Sequence, residues 1–328
     1  MDSLIFALNA VAPIIILVAI GYMLKKIGWM DGKFVKMANK LVFHVFLPAM
    51  LFLNVYKIGD LGRVGYGYIV YTLVVLGVVF AAAVPLVLLS VKKRERRGAL
   101  LQAVFRSNYA LIGIPLAESL FGEEGVIIAT ILSAVVVPAL NVLAVISLSI
   151  FRADGGKTSV GKIMLGIVKN PLIQGVFAGL CVLGIRAAFV HFDISFRLAD
   201  ITPVYTVLEY LGRLATPVAL LCLGAQFEFS AVASLKKEII FGTLARTVFV
   251  PLIGIGMAFL FFREQFGGAH FAAFIAVFAT PVSISSVPMA QEMDADVTLA
   301  GQLVVWTTLV SGFSVFLISF LLRSAGVF

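Results

Sequence analysis

From Leu4 to Leu24, and again from Tyr66 to Val91, the chain runs without a charged side chain. A helix rises about 1.5 Å per residue, so about 20 apolar residues cross the roughly 30 Å hydrocarbon layer of a bilayer. Both runs are long enough. With no water available, backbone polar groups inside lipid must be satisfied within the segment, which makes such runs helices. Moved along the chain, the same ruler gives ten spans: 4–25, 35–56, 66–91, 102–121, 125–151, 170–190, 205–227, 238–262, 270–292 and 297–322. The fourth and ninth are the least continuous, because prolines and polar residues interrupt them. Of the 328 residues 61% are hydrophobic and 13% charged, against about 45–50% apolar in soluble domains. The excess needs lipid as its solvent. The first run is not read as a cleaved leader, since no basic segment precedes it, its apolar part is too long, and Lys25 and Lys26 follow it.

The net charge of +8 sits in the loops. If the N-terminus is outside, the inside loops carry 15 Lys and Arg and the outside segments 6. The positive-inside rule therefore places both termini outside. The segment after the ninth span, with Glu292, Asp294 and Asp296 and no base, departs from the pattern, but acids weigh little in it. Bases clustered in short loops argue for a membrane protein and against nucleic-acid binding. Cys181 and Cys222 both lie in apolar spans without metal-ligand spacing, so neither a cofactor nor a metal centre is expected.

The two halves resemble each other. Laying Pro115 on Pro288 also lays Ala117 on Ala290 and Glu118 on Gln291. Pro48 and Pro217 each sit inside an apolar run. Pro13 precedes Gly21 by the spacing at which Pro171 precedes Gly179. Five spans per half is odd, so the second half enters the membrane inverted. The expected fold is an all-α membrane protein of two inverted five-helix repeats, residues 1–155 and 156–328, an architecture of many secondary transporters.

Proline removes a backbone donor and clashes with the preceding turn. Freed backbone groups in a membrane must find partners or line a cavity. Pro115 in the fourth span, and Pro281 and Pro288 in the ninth, are therefore expected to break helices that cross near the midplane. Asn108, Thr280, Ser283, Ser285 and Ser286 would supply polar side chains there. An intramembrane charge is costly, so Arg246, between apolar runs, is a candidate to pair within the ninth span or to attract an anion. Arg106, opening the fourth span, is expected to snorkel to the cytoplasmic surface. Lys40 and Arg213 read as interfacial. Candidates for ion coupling are Glu118 or His44 for a proton, and Asn108 with Ser133 for sodium; Gln291 shares the repeat position of Glu118. Asn54 and Asn141 read as polar links between helices.

These motifs resemble the auxin efflux carrier family, in particular its bacterial members described as malonate or malate permeases. The residues that carry the resemblance are Asn39 through Phe52, with Pro48; Asn108 through Leu116; Lys169-Asn170-Pro171; Thr216 through Ala225; and Arg246 followed by Pro251. The resemblance covers nearly the whole chain. It implies a fold similar to bile-acid symporters and sodium/proton antiporters. Spans 1, 2, 6 and 7 would form a scaffold, and spans 3–5 and 8–10 a moving transport domain with the crossed fourth and ninth spans at its centre. Asn108 and Pro115 match the first crossover. In the second, Ser283, Ser285 and Ser286 stand where the family often has small residues with an asparagine or tyrosine. The long cytoplasmic loop of plant auxin exporters is absent, so auxin is not the expected substrate. The expected activity is alternating-access transport of a small organic anion, a dicarboxylate such as malonate or malate, across a bacterial inner membrane. Sodium or a proton is the candidate coupling ion, and a homodimer the candidate assembly. The alternative is an ion-coupled carrier of another small solute, resembling bile-acid, amino-acid or auxin carriers. An intramembrane enzyme is not expected: every Asp lies in a loop or at a terminus, and no G-x-S-x-G occurs. A channel would need a continuous water path, and a sensor would need signalling domains.

Overall fold

A computed structural model describes residues 2–57, 66–151 and 160–328, without the side chains of residues 2–11, 160, 162 and 163. The named elements are all helical: α1 (Asp2–Lys26), α2 (Gly32–Tyr56), α3 (Gly67–Ser90), α4 (Arg94–Phe105), α5 (Tyr109–Ile150), α6 (Val160–Lys169), α7 (Pro171–His191), α8 (Thr202–Gln226), α9 (Ala231–Phe261), α10 (Gly268–Phe278), α11 (Ser286–Glu292) and α12 (Val297–Ser324), with a 3₁₀ turn at Leu198–Asp200. Among the described residues, seven helices are long and apolar enough to cross a membrane: α2, α3, α5, α7, α8, α9 and α12. The boundary expected between residues 155 and 156 lies outside the described residues, as do Arg63, Arg152 and Lys157.

Two expected spans begin early. α4 starts at Arg94 rather than 102, and α9 at Ala231 rather than 238. The bases that read as loop lie in helix because their heads find partners. Arg96 pairs with Glu238 at 2.9 Å and Asp296 at 3.1 Å, and Arg97 donates to Val91 O at 2.7 Å. Further along, α5 joins the end of the fourth expected span to the fifth, through a kink at Phe121–Gly122 where Gly122 takes φ 58°.

Three of the helix prolines follow a widened π-turn. Val42–Phe46 precedes Pro48, Tyr109–Gly113 precedes Pro115, and Ala245–Phe249 precedes Pro251. A wide turn draws the carbonyl away from the proline ring, so the helix continues where a regular turn would clash.

With lipid outside, helix association depends on close packing rather than on expelling water. α1 crosses α8 at backbone contact: a Cβ on Gly21 would lie 2.1 Å from Leu221 O, and one on Gly224 2.0 Å from Val18 O. α7 crosses α2 in the same manner. A Cβ on Gly175 would lie 2.6 Å from Pro48 O, and one on Gly179 2.9 Å from Phe52 O. Elsewhere α10 packs against α5, and α4 against α3, α5 and α12. α10 is buried on every face, with Phe271 through Val277 all inaccessible. A helix apolar all round and only about 16 Å long belongs in a protein interior.

Candidate functional site

α4 and α10 both stop inside the protein. Past Phe105 and Phe278 the two chains run extended and meet antiparallel, Ser107 opposite Val282. Asn108 N–H donates to Pro281 O at 2.8 Å, and Ser283 N–H to Arg106 O at 3.1 Å. Pro281 has no N–H to return the bond to Asn108. Asn108 O instead accepts from Ile112 and Gly113, in the first turn of α5. On the other strand Val282 N–H donates to Thr307 Oγ1 at 3.1 Å. Four helix ends thus gather at one crossing: the carboxyl ends of α4 and α10, and the amino ends of α5 and α11. The first break falls at Arg106–Asn108, well before Pro115. Pro115 is tolerated in the first turn of regular α-helix after the π-turn, where its missing donor matters least.

Arg246 lies behind this crossing and is fully buried. Its Nε donates to Thr280 O at 2.7 Å, Nη2 to Val277 O at 2.6 Å, and Nη1 to Val104 O and Phe105 O at 3.3 and 3.2 Å. One guanidinium thus caps the carboxyl ends of α4 and α10, where partial negative charge accumulates. It pairs with backbone of the ninth expected span rather than a side chain, and it does not line the cavity in front.

Arg106 departs from expectation. Because α4 begins at Arg94, Arg106 lies about 18 Å along the helix from that start, beyond the reach of snorkelling. It is 2% exposed. Nη1 donates to Gln102 Oε1 at 2.7 Å and approaches Met289 Sδ at 3.1 Å, while Nη2 donates to Asn141 Oδ1 at 2.7 Å. All three acceptors are neutral.

In front of the crossing is a chamber of about 50 Å³, walled by Arg106, Ser107, Asn108, Asn141, Ser283 and Ser285 on one side, and by apolar residues of α2 and α8 with Thr216 on the other. Among the described residues Arg106 is the one charged residue on its wall. Asn108 Nδ2 and Ser107 Oγ have no hydrogen-bond partner among the described residues, although both residues are 4% exposed. Ser283 Oγ and Ser285 Oγ lie 2.8 Å apart. The chamber adjoins a wider cleft of about 280 Å³ that shares Met50, Ala110, Leu111 and Thr216 with it. Lys57, Glu209 and Arg213 also line the cleft; Lys57 is 3.0 Å and Arg213 3.4 Å from the Glu209 carboxylate. The hydrogen bond that Lys57 donates to Glu209 holds its ammonium above the usual pKa. Towards the opposite face, side chains tie α2, α8 and α11 together. Asn39 Nδ2 donates to Gln226 Oε1 at 3.1 Å and to Gln291 Oε1 at 2.9 Å, and Gln226 Nε2 reaches Gln291 Oε1 at 3.3 Å.

Of the residues singled out in the sequence, Asn108, Ser283 and Ser285 are brought together on the chamber wall. Thr280 is buried behind it, its hydroxyl bonded to Ala276 O, and Pro281 forms the crossing itself. Ser286 and Pro288 are buried in α11, away from the wall; Pro115 is exposed. Ser133 bonds its own helix at Thr130 O. Glu118 is exposed, close to the kink at Phe121–Gly122, and His44 is exposed with Nδ1 against Lys40 O; neither lines the chamber or the cleft. Gln291 belongs to the tie between α2, α8 and α11. Sequence reasoning missed Ser107, Gln102 and the tie; Asn141, read as a polar link between helices, bonds Arg106. The signals available were Ser107 beside Asn108, and isolated amides at Asn39, Asn141 and Gln226. Among the described residues no group of three or more His, Cys, Asp or Glu is placed to hold a metal ion.

Two curated relatives span most of this chain. An uncharacterized transporter of Methanothermobacter thermautotrophicus is 22% identical over 309 residues, covering 92% of this chain and 94% of its own. Another, of Methanocaldococcus jannaschii, is 25% identical over 262 residues, covering 77% and 78%. The family model described as "Membrane transport protein" matches residues 6–162 and 157–319. The chain is an integral membrane protein that belongs to this membrane transport family, the auxin efflux carriers.

Proposed function

We propose that the protein is a secondary transporter that binds a small organic anion at the crossing and moves it by alternating access. The observation that carries this reading is the chamber wall: among the described residues, donors of Asn108 and Ser107 stand without partners beside a buried guanidinium, and no acid lines the chamber. Buried polar groups without partners are uncommon, and an acceptor of hydrogen bonds is what this wall lacks. The amino end of α5 adds partial positive charge. The chamber has room for one carboxylate head, and the adjoining cleft for the rest of the molecule. The family resemblance favours a dicarboxylate such as malonate or malate.

Inverted repeats are supported by contacts that occur twice. Gly21 stands to Pro13 as Gly179 stands to Pro171, and Leu221 stands to Pro217 as Phe52 stands to Pro48. Gly21 packs on Leu221, and Gly179 on Phe52. Under the register that lays Pro115 on Pro288, Asn108 falls on Pro281, the two residues that face each other at the crossing. A chain that meets its own repeat-related residue there is placed as a two-fold axis would place it. On this reading residues 1–155 and 156–328 are the repeats. Helices α1, α2, α7 and α8 form the scaffold, and α3–α5 with α9–α12 move against it. With both termini outside, the cleft at Lys57 opens outward and the Asn39–Gln226–Gln291 tie closes the cytoplasmic side. Glu118 and His44 lie away from both cavities, which weighs against their carrying a coupled proton in this state.

The test is uptake of labelled malonate and malate into proteoliposomes under imposed sodium or proton gradients, wild type against Asn108→Ala. Saturable uptake in the wild type that falls at least about tenfold in the variant supports the reading. Equal uptake by both proteins would move the site elsewhere, and no uptake of any carboxylate would overturn the anion assignment.

A further inference from the structure

We propose that Arg106 is the fixed counter-charge of the transported anion, so that the chamber takes one ionised carboxylate and needs no co-bound metal cation. The inference rests on the anion-carrier reading and deepens it. Arg106 is buried, lines the chamber, and meets only the neutral acceptors Gln102 Oε1, Asn141 Oδ1 and Met289 Sδ. Nearby helix-end carbonyls, which would otherwise spread its charge, are bonded by Arg246: Val104, Phe105, Val277 and Thr280. A buried charge without a partner is unfavourable, and folded proteins pair such groups or bind an ion of opposite sign beside them. Among the described residues no acid meets Arg106, and a carboxylate in the chamber would supply that partner.

The size of the chamber limits that partner. About 50 Å³ is room for one or two waters, and therefore for a single carboxylate head. One negative charge beside one guanidinium leaves the loaded chamber neutral. Asn108 Nδ2 and Ser107 Oγ are then free to bond the remaining oxygen lone pairs, as charge-assisted recognition of a carboxylate requires. The second carboxylate of a dianion would lie in the outer cleft, where it would share Lys57 and Arg213 with the Glu209 carboxylate that both already meet. A sodium ion in the chamber would face the guanidinium at close range with no carboxylate to hold it.

The experiment measures binding of acetate against acetamide, and of malonate against malonamide, to the purified full chain in sodium and in choline buffers. Wild type is compared with Arg106→Gln and Arg106→Lys. A hydrogen bond to a charged group predicts that wild type prefers each carboxylate over its amide by about 10- to 100-fold, equally in both buffers. Arg106→Gln should bring that ratio to within about threefold, and Arg106→Lys should keep much of it. A merely structural arginine would alter overall affinity or folding without moving the ratio. Should Arg106→Gln fail to fold, the ratio in Arg106→Lys and the buffer comparison in wild type decide. An undiminished ratio in Arg106→Gln, or wild-type binding that requires sodium, overturns this inference and leaves the anion-carrier reading standing. Absence of carboxylate binding by wild type in either buffer overturns both.

Discussion

Arg106 and Arg246 are both buried and, among the described residues, neither meets a carboxylate; their geometries predict different responses to removal. Arg246→Leu leaves four carbonyls, those of Val104, Phe105, Val277 and Thr280, without the donor that serves them. A buried polar group left unsatisfied costs about 1–3 kcal/mol, so four cost roughly 4–12 kcal/mol before relaxation. Loss of the buried charge itself offsets part of this. Even about 4 kcal/mol lies at the far end of single-substitution effects. At about 2–4 °C per kcal/mol for a chain of a few hundred residues, unfolding should fall by roughly 8 °C or more. Arg246→Lys keeps the charge but offers three donors from one point, so it should recover only part of the loss. The assay is thermal unfolding in detergent followed by a thiol-reactive dye, in a background where the exposed Cys181 is replaced by serine, since Cys222 is fully buried and becomes reactive only on opening. Arg106→Gln removes no carbonyl cap and leaves two side-chain acceptors, Gln102 Oε1 and Asn141 Oδ1, without their donor while also removing a buried charge, so it should lower the unfolding temperature less than Arg246→Leu does. Arg246→Leu unfolding within about 2 °C of wild type would refute the capping role and the reasoning that separates the two arginines.

Overpacking at the α1–α8 crossing should destabilise. Gly21→Val or Gly224→Val forces backbones apart at a cost of at least about 1–3 kcal/mol, while Gly77→Ala, in open space, should be neutral or slightly stabilising in the same unfolding assay. Gln291→Ala removes its bonds with Asn39 and Gln226, each worth about 0.5–1.5 kcal/mol. The closed cytoplasmic side should then open about tenfold more often, read as faster alkylation of Ser283→Cys from that side; an unchanged rate would remove the tie from the gate. The repeat counterpart of the Gln291–Gln226 contact is Glu118 with Lys57. Cysteines at these two positions should cross-link under oxidant and trap the protein open to the cytoplasm, and absence of the cross-link during transport would contradict the repeat register.

Much of the helix layout is readable from the sequence, because twenty uncharged residues admit few structures in lipid. α3, uncharged from Gly67 to Ser90, lies almost where the ruler places it. Boundaries fail where charge is satisfied inside the fold. Arg94, Arg96 and Arg97 read as a loop, yet they bond carbonyls and acids from within α4, and that shift of start carries Arg106 from the surface to the crossing. Which face a residue presents is also hidden. Lipid and protein interior are equally apolar, so a membrane helix carries little amphipathic pattern to mark its inner side. His44 and Glu118 therefore read as candidates for chemistry and stand on exposed faces, whereas Asn39, given no role from the sequence, joins three helices. Asn108, Ser283 and Ser285 were legible because polar residues beside proline-broken helices have few other places to go. Pro115 marks the broken span without marking the break, since the π-turn ahead of it absorbs the clash and leaves the chain to open at Arg106–Asn108.

The central claim is that the chamber at the crossing holds the substrate and opens to one side at a time. Its most direct test is the alkylation rate of Ser285→Cys, in a background with Cys181 and Cys222 replaced, using impermeant reagent applied to each side of sealed vesicles with and without malonate. The account predicts reaction from the side where Lys57 lies, slowed by saturating malonate, with the reactive side exchanging in protein cross-linked between positions 57 and 118. Reaction from both sides at once, or a rate that no carboxylate alters, would contradict it.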